Sequence, residues 1–276
     1  MTSIHDWIKN QSNHLNQVTQ FDQNDINLLL CHLLSINTAW LYAHQEHLLT
    51  AKQIHQLDLW VEELKAGKPL AYITGNKDFW TLRLHVNQHT LIPRPETELL
   101  IEVIEQLDLS PAKILDLGTG SGAIALSLAT LYPDAEITAS DQSAAALKVA
   151  ALNAKSNQIN NVTFIQSNWF DDINADCFDL IVSNPPYIDS EDEHLVNLSY
   201  EPLSALVASD HGLSDFKKIS LAASQFLKPG GVLMFEHGWQ QAESVTKILE
   251  NAGLVNTSTQ KDLLQHNRVT WAYLKV

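Results

Sequence analysis

A chain of 276 residues with 45% hydrophobic content holds enough apolar material for one large domain or two smaller ones. Its formal charge of −15, with no dense Lys/Arg cluster, speaks against a nucleic-acid backbone as partner and favours a partner with a basic surface. No apolar run approaches the roughly 18–20 residues of a membrane span, the start "MTSIHDWIKN" lacks a basic and then apolar leader, and Cys31 and Cys177, far apart, fit a reduced cytoplasmic setting without disulfides.

From Trp7 to about Ile73 the apolar residues recur at three and four, as in "INLLLCHLLSI" and "IHQLDLWVEELKAG", with Gly67 and Pro69 closing the second stretch. This predicts a small all-helical unit over residues 1–75, with no strand. His44 and His47 share a helix face but have no third ligand nearby, so no metal site is expected. Residues 76–94 change period. Phe79 to Val86 alternates, Asn87-Gln88 reads as a turn, and "TLI" follows before Pro93, which predicts a β-hairpin linker.

Over residues 95–276 strands and helices alternate, the pattern of a parallel sheet. Strands are expected at Lys113 to Leu117, Glu136 to Ala139, Val162 to Ile165, Phe178 to Ser183 and Val232 to Glu236, with a late alternating strand in "HNRVTWAYLK". Cys177, just before a strand, is expected to be a small buried apolar group. The tryptophans are expected in the core, with Trp169 as the exception.

The stretch "KILDLGTGSGAIALSLA" places a strand, then Gly118, Gly120 and Gly122, then a helix of small and apolar residues. Glycines there permit a tight turn and let a ligand reach the backbone, while the helix N-terminus supplies donors. Asp141 ends the next strand, in "ITASD", where a carboxylate can accept both hydroxyls of a ribose. Asp116 stands where it can face the amino-acid part of such a ligand.

In "IVSNPPYID" two prolines end a strand and remove two backbone donors, which holds Asn184 at the strand's tip. An amide or aromatic amine nitrogen is planar, with a delocalised lone pair, and attacks a sulfonium methyl poorly. The Asn184 side-chain oxygen and the Pro185 carbonyl can each accept one hydrogen of a bound NH2, aiming the nitrogen and stabilising developing positive charge. Tyr187 offers a flat wall. No strong general base is required, because an N-alkylated amide carrying positive charge loses a proton readily. The tetrapeptide alone does not separate an adenine amino group from a glutamine amide.

The glycine turn, Asp141 and NPPY together resemble a class I S-adenosylmethionine-dependent methyltransferase. "IPRPETELLIE" (92–102), "SNWF" (167–170), "YEPLSALVASDHGL" (200–213), "LKPGGVLMFEHG" (227–238) and the late "NR" extend the likeness over nearly the whole chain, to the release factor glutamine N5-methyltransferases, the PrmC/HemK family. The resemblance implies a Rossmann-like α/β domain with a mostly parallel seven-stranded sheet and a late antiparallel strand. It implies methyl transfer from S-adenosylmethionine, leaving S-adenosylhomocysteine, to the glutamine of the Gly-Gly-Gln loop in class I peptide release factors. By position, it assigns Gly118, Thr119, Gly120, Ser121 and Gly122 to the methionine part, Asp141 to the ribose and Trp169 to the adenine face. Asn184 is assigned to both cofactor and substrate, and Pro185, Pro186 and Tyr187 to the glutamine pocket. Arg94, Glu96 and Glu201 would line or brace the cleft. Asn168 stands where many relatives carry an acid, so weaker cofactor binding is expected. A monomer whose helical unit helps to dock the substrate, with no direct nucleic-acid or membrane partner, completes the expectation. The alternative is a nucleic-acid amino methyltransferase; a non-catalytic cofactor-binding adaptor would have no use for the amide clamp.

Overall fold

The computed structural model describes residues 2–15, 22–175 and 177–276, and the chain divides into two compact units, Met1–Gly75 and Asn76–Val276. The first unit contains β1 (Thr2–Ser3), α1 (Ile4–Leu15), α2 (Gln23–Leu34), α3 (Thr38–Ala43), β2 (Leu48–Leu49), α4 (Ala51–Lys65) and α5 (Leu70–Thr74). Its helices begin where side chains satisfy free backbone donors. Asp22 and Asp25 form a capping box on α2, Asn37 accepts from the Trp40 N–H on α3, and Thr50 with Gln53 forms a second box on α4. Apolar residues spaced at three and four, Ile26, Leu29 and Leu30 on α2 and Leu57, Val61 and Leu64 on α4, close a core with Ile4, Trp7, Leu41 and Leu49. The Trp7 indole donates to Asp58 Oδ1 at 2.9 Å, so its one polar atom is satisfied as the ring is buried. The unit is not purely helical: β1 pairs antiparallel with β2, Thr2 opposite Leu49. Two residues per strand are too few to show as alternation in a sequence.

The second unit opens with β3 (Asn76–Phe79) and β4 (Leu82–His85). The hairpin turns at Trp80-Thr81 and not at Asn87-Gln88, with Phe79 opposite Leu82, and Trp80 takes a positive φ of 54° to make that turn. Asn87 does begin a turn, its carbonyl accepting from the Thr90 N–H at 3.0 Å, but "TLI" pairs with no strand. Phe79, Leu82 and Leu84 instead pack on Ala123, Leu126 and Ala154, two helices further along the chain.

The remaining elements are α6 (Glu98–Gln106), β5 (Lys113–Leu117), α7 (Ala123–Leu131), β6 (Glu136–Asp141), α8 (Ala144–Ser156), β7 (Val162–Gln166), β8 (Phe178–Ser183), an irregular turn α9 (Ser209–Gly212), α10 (Ser214–Ala223), β9 (Leu227–Glu236), α11 (Ala242–Asn251), β10 (Leu254–Lys261) and β11 (Asn267–Leu274). The sheet order is β10-β11-β9-β8-β5-β6-β7. From β9 to β7 all pairs are parallel, and β11 is antiparallel to both its neighbours.

Alternation along the central strands sorts two cores. Ile114, Leu180, Val182, Val232 and Met234 face α6 and α7, while Leu115, Ile181, Leu233 and Phe235 face α10 and α11. Strand β10 has no sequence signal of its own, because "LVNTSTQK" is a polar edge strand with a register shift between Val255 and Ser258. Cys177 is exposed rather than a buried apolar group, since it precedes the first paired residue of β8.

Candidate active site

Leu117 of β5 pairs with Ser140 of β6 and with Ser183 of β8, and Ser183 pairs with Phe235 of β9. The next residue of each segment, Asp141, Gly118, Asn184 and Glu236, therefore comes to the same level along the carboxyl edge of the sheet, where such folds bind ligands. One register thus brings together residues from four separate stretches of chain. The Ser183 hydroxyl, donating to the Leu117 carbonyl at 2.7 Å, ties the β5 and β8 tips further.

On the β5–β6 side the glycine turn closes on itself. The N–H groups of Gly118 and Thr119 donate to the Ser140 carbonyl at 2.9 and 2.8 Å. The Gly120 N–H donates to Asp141 Oδ2 at 2.9 Å, and the Ser143 N–H donates to Oδ1 at 2.8 Å. Gly118, Gly120 and Gly122 have φ of 76°, 55° and 85°, a region that side chains disfavour. A Cβ at Gly122 would meet Leu126 and Ala150 at 3.1 and 3.2 Å, so a side chain there would also crowd its neighbours. Asp116 is fully buried, its Oδ2 accepting from Thr119 Oγ1 at 2.7 Å and from the Ala125 N–H at 3.1 Å, while Oδ1 has no partner. Burial pushes its carboxyl up to about 7, against the two hydrogen bonds. Burial likewise raises Asp141.

A cavity of about 440 Å³ opens over this edge, lined by Gly118, Gly120, Asp141, Asn168, Trp169, Asn184, Pro186 and others, a size in the range of small-ligand sites. Thr119, Ser121 and Gly122 do not line it. Thr119 braces Asp116, and the Ser121 carbonyl accepts from Asn153 Nδ2 at 2.9 Å. Asn153, fully buried on α8, also exchanges hydrogen bonds with the His85 backbone, which fixes the turn against β4. Trp169 has a φ of 56° and lies against Gly118, its indole donating to Asp215 Oδ1 at 3.2 Å. Asp215 and Lys218 line the cavity too, and neither was marked by any sequence pattern. Asn168 accepts from Lys218 Nζ at 3.1 Å and donates to Asp171.

This donor set fits S-adenosylmethionine. Asp141 suits a ribose diol and the Trp169 ring suits a base, while Asp116 is fully buried and does not line the cavity.

A second cavity of about 270 Å³ is lined by Leu91, Arg94, Asn184, Pro185, Tyr187, Ile188, Leu198, Ala205 and Leu206. Asn184 lines both cavities, as do Leu91 and Ala205. Pro186, expected in the same pocket as Pro185 and Tyr187, lines the larger cavity instead. The Tyr187 phenol is pushed above its ordinary pKa by burial. Its backbone is clamped, since the Tyr187 carbonyl accepts from Gln241 Nε2 at 3.1 Å, and a Cβ on Gly212 would stand 2.1 Å from that oxygen. Buried Glu201 accepts from Arg94 and from the Ile92 N–H, which pins the PRPETE segment under the cavity. Glu96 is exposed.

Glu236 and Thr97 are two further polar groups that sequence reasoning missed. Both are buried beside Asn184, whose Nδ2 donates to Thr97 Oγ1 at 3.3 Å. Their only sequence signals were places within "PETE" and "FEHG".

Residues 109–273 match the family model of a methyltransferase domain, and residues 6–75 match that of the PrmC N-terminal domain. The chain is 44% identical to the release factor glutamine methyltransferase of Xylella fastidiosa (strain Temecula1), covering 91% of this chain and 93% of that protein. It is 41% identical to that of Escherichia coli (strain K12), covering 96% of each. This chain belongs to the release factor glutamine methyltransferases. Among solved structures, a methyltransferase from Pyrococcus furiosus is similar at a TM-score of 0.56 and 16% identity, covering 79% of this chain and 98% of that one, which shows the shared methyltransferase fold. Membership makes the chain a protein-glutamine methyltransferase. Among the described residues no helix is long and apolar enough to cross a membrane, and no group of three His, Cys, Asp or Glu is placed to hold a metal.

Proposed function

We propose that the enzyme methylates the side-chain amide nitrogen of a release-factor glutamine at Asn184, with S-adenosylmethionine in the larger cavity and the glutamine in the smaller. The observation that carries this assignment is that Asn184 lines both spaces. Bound there, S-adenosylmethionine supplies an electrophilic methyl on a sulfonium. Asp141 holds the ribose, Trp169 covers the adenine face, and Gly118 and Gly120 admit the methionine part close to the backbone.

In the smaller cavity Asn184 Oδ1 and the Pro185 carbonyl accept the two hydrogens of the glutamine NH2, holding its nitrogen toward the larger cavity. Both acceptors are preorganised, one at a strand tip and one on a ring-locked backbone, so they stabilise positive charge on the nitrogen without reorganising. Tyr187 walls the planar amide. As the nitrogen–carbon bond forms, the sulfur–carbon bond breaks and one amide proton passes to solvent. The glutamine is that of the Gly-Gly-Gln loop of class I peptide release factors, and S-adenosylhomocysteine is the second product. The helical unit, residues 1–75, takes part in docking the factor, the hairpin of residues 76–94 joins it to the methyltransferase domain, residues 95–276, and the enzyme acts as a cytoplasmic monomer.

The test incubates the full-length enzyme with methyl-labelled cofactor and, in separate arms, a release factor, the same factor with its loop glutamine replaced, and DNA or RNA. Label is expected only in the unaltered factor. Label in the replaced factor, or in nucleic acid alone, overturns the proposal.

A further inference from the structure

Glu236 is fully buried, lines neither cavity, and has an Oε2 without a hydrogen-bond partner. A carboxyl group so placed is costly to keep, and hydrophobic residues would fill the same space more favourably. The charged and polar groups that face it come from three separate segments: Glu96 and Thr97 of the PRPETE turn, Asn184 and Tyr187 of NPPY, and Arg268 of β11. The Thr97 hydroxyl and the Asn184 side chain both lie close enough to the carboxylate to pull its pKa down, and the Thr97 oxygen accepts from Asn184 Nδ2 at 3.3 Å.

A primary amide has two ends of similar shape and opposite polarity, an oxygen that accepts and an NH2 that donates. Only the oxygen serves a glutamine NH2, because two NH2 groups face to face cannot hydrogen-bond. Turned the wrong way, Asn184 would set its oxygen toward the buried Glu236 carboxylate and give up its donation to Thr97 Oγ1. The relay from Asn184 through Thr97 to Glu236 therefore discriminates between two orientations that packing alone would scarcely distinguish.

We propose that Glu236 is a positioning residue which, through the Thr97 hydroxyl, locks the Asn184 amide with its NH2 turned inward and its oxygen turned toward the substrate amide. The inference rests on the reading of Asn184 as the acceptor for glutamine. Burial pushes the Glu236 carboxyl up to about 7, although Thr97, Arg268 and Asn184 all pull it down. Only the ionised form is a pure acceptor, so the lock strengthens as pH rises through neutrality.

The test uses the full-length enzyme with a full-length release factor and compares Thr97→Val, Thr97→Ser, Glu236→Gln and Asn184→Ala. Thr97→Val keeps the shape and removes the hydroxyl; kcat is expected to fall about tenfold or more, with cofactor Kd and the KM for the factor within about twofold of wild type. Thr97→Ser restores the hydroxyl and is expected to restore kcat. At saturating cofactor, wild-type kcat is expected to rise between about pH 6 and pH 8, and Glu236→Gln, which has no titrating proton, is expected to lose that rise. Wild-type kcat in Thr97→Val, equal damage in Thr97→Val and Thr97→Ser, or an unchanged pH profile in Glu236→Gln overturns the proposal. Full turnover in Asn184→Ala overturns instead the reading beneath it, so the two failures are distinct.

Discussion

Asp116 on β5 and Glu236 at the end of β9 are both fully buried carboxyl groups, each with one unpartnered oxygen and each pushed up to about 7 by burial. Asp116 finds its partners close by in the chain, Thr119 three residues on and Ala125 nine residues on. Glu236 faces Thr97, Asn184 and Arg268, which arrive from three distant segments. The first carboxyl braces a corner that one stretch of chain builds for itself. The second belongs to a corner that exists only once β8, β9, β11 and the PRPETE turn are docked. On the proposed roles, cofactor holding and amide positioning are separable by substitution, although Asn184 lines both cavities.

The sharpest way to break that comparison is a pair of substitutions. Asn184→Ala is expected to lower single-turnover methyl transfer by about 10²–10³-fold while cofactor binding, measured by calorimetry, stays near wild type. Asp141→Asn is expected to do the reverse, weakening cofactor binding by about 10–100-fold with transfer largely recovered at saturating cofactor. If each variant loses both properties, the corners are one unit.

A smaller effect separates the carboxyl groups by stability. The folded pKa of Asp116 lies above its ordinary value, so its contribution is fully present below about pH 4 and is lost as pH rises through about 7. Wild-type protein without cofactor should therefore lose stability relative to Asp116→Asn between those limits, on the order of 2–4 kcal/mol. Denaturant titrations of both proteins at several pH values check this, and a constant difference across the range would show that Asp116 does not titrate there.

The smallest expected effect is at the outer end of the larger cavity. The Asn168 oxygen is already engaged by Lys218, and both residues line the cavity. Asn168→Asp should tighten cofactor binding by only about two- to fivefold, because an exposed charge is screened by solvent. A larger gain would mean that the neutral residue is what limits affinity.

Much of the site can be read from local pattern. Gly118, Gly120 and Asp141 lie within one strand–turn–helix–strand passage, where residue type and spacing carry the geometry. NPPY announces a rigid strand tip for the same reason, as proline restricts the backbone wherever it stands. Thr119 and Ser121 sit inside the glycine turn yet do not line the cavity, which spacing does not reveal. The hairpin turn was misplaced because Trp80 accepts a positive φ that its residue type disfavours, while Asn87 signals a turn that closes no strand pair. Strand β10 left no mark because an edge strand satisfies polar residues with water.

The sequence by itself determined the alternating β and α pattern, the glycine turn with its acidic partner and the rigid amide at the end of β8, since each depends on backbone preferences acting over a few residues. Only the tertiary structure decided that Asn184 lines two cavities and that Glu236 and Thr97 are buried beside it. Those neighbours are set by strand register and by the docking of the PRPETE turn, and a contact between segments far apart in the chain leaves no periodicity in either of them.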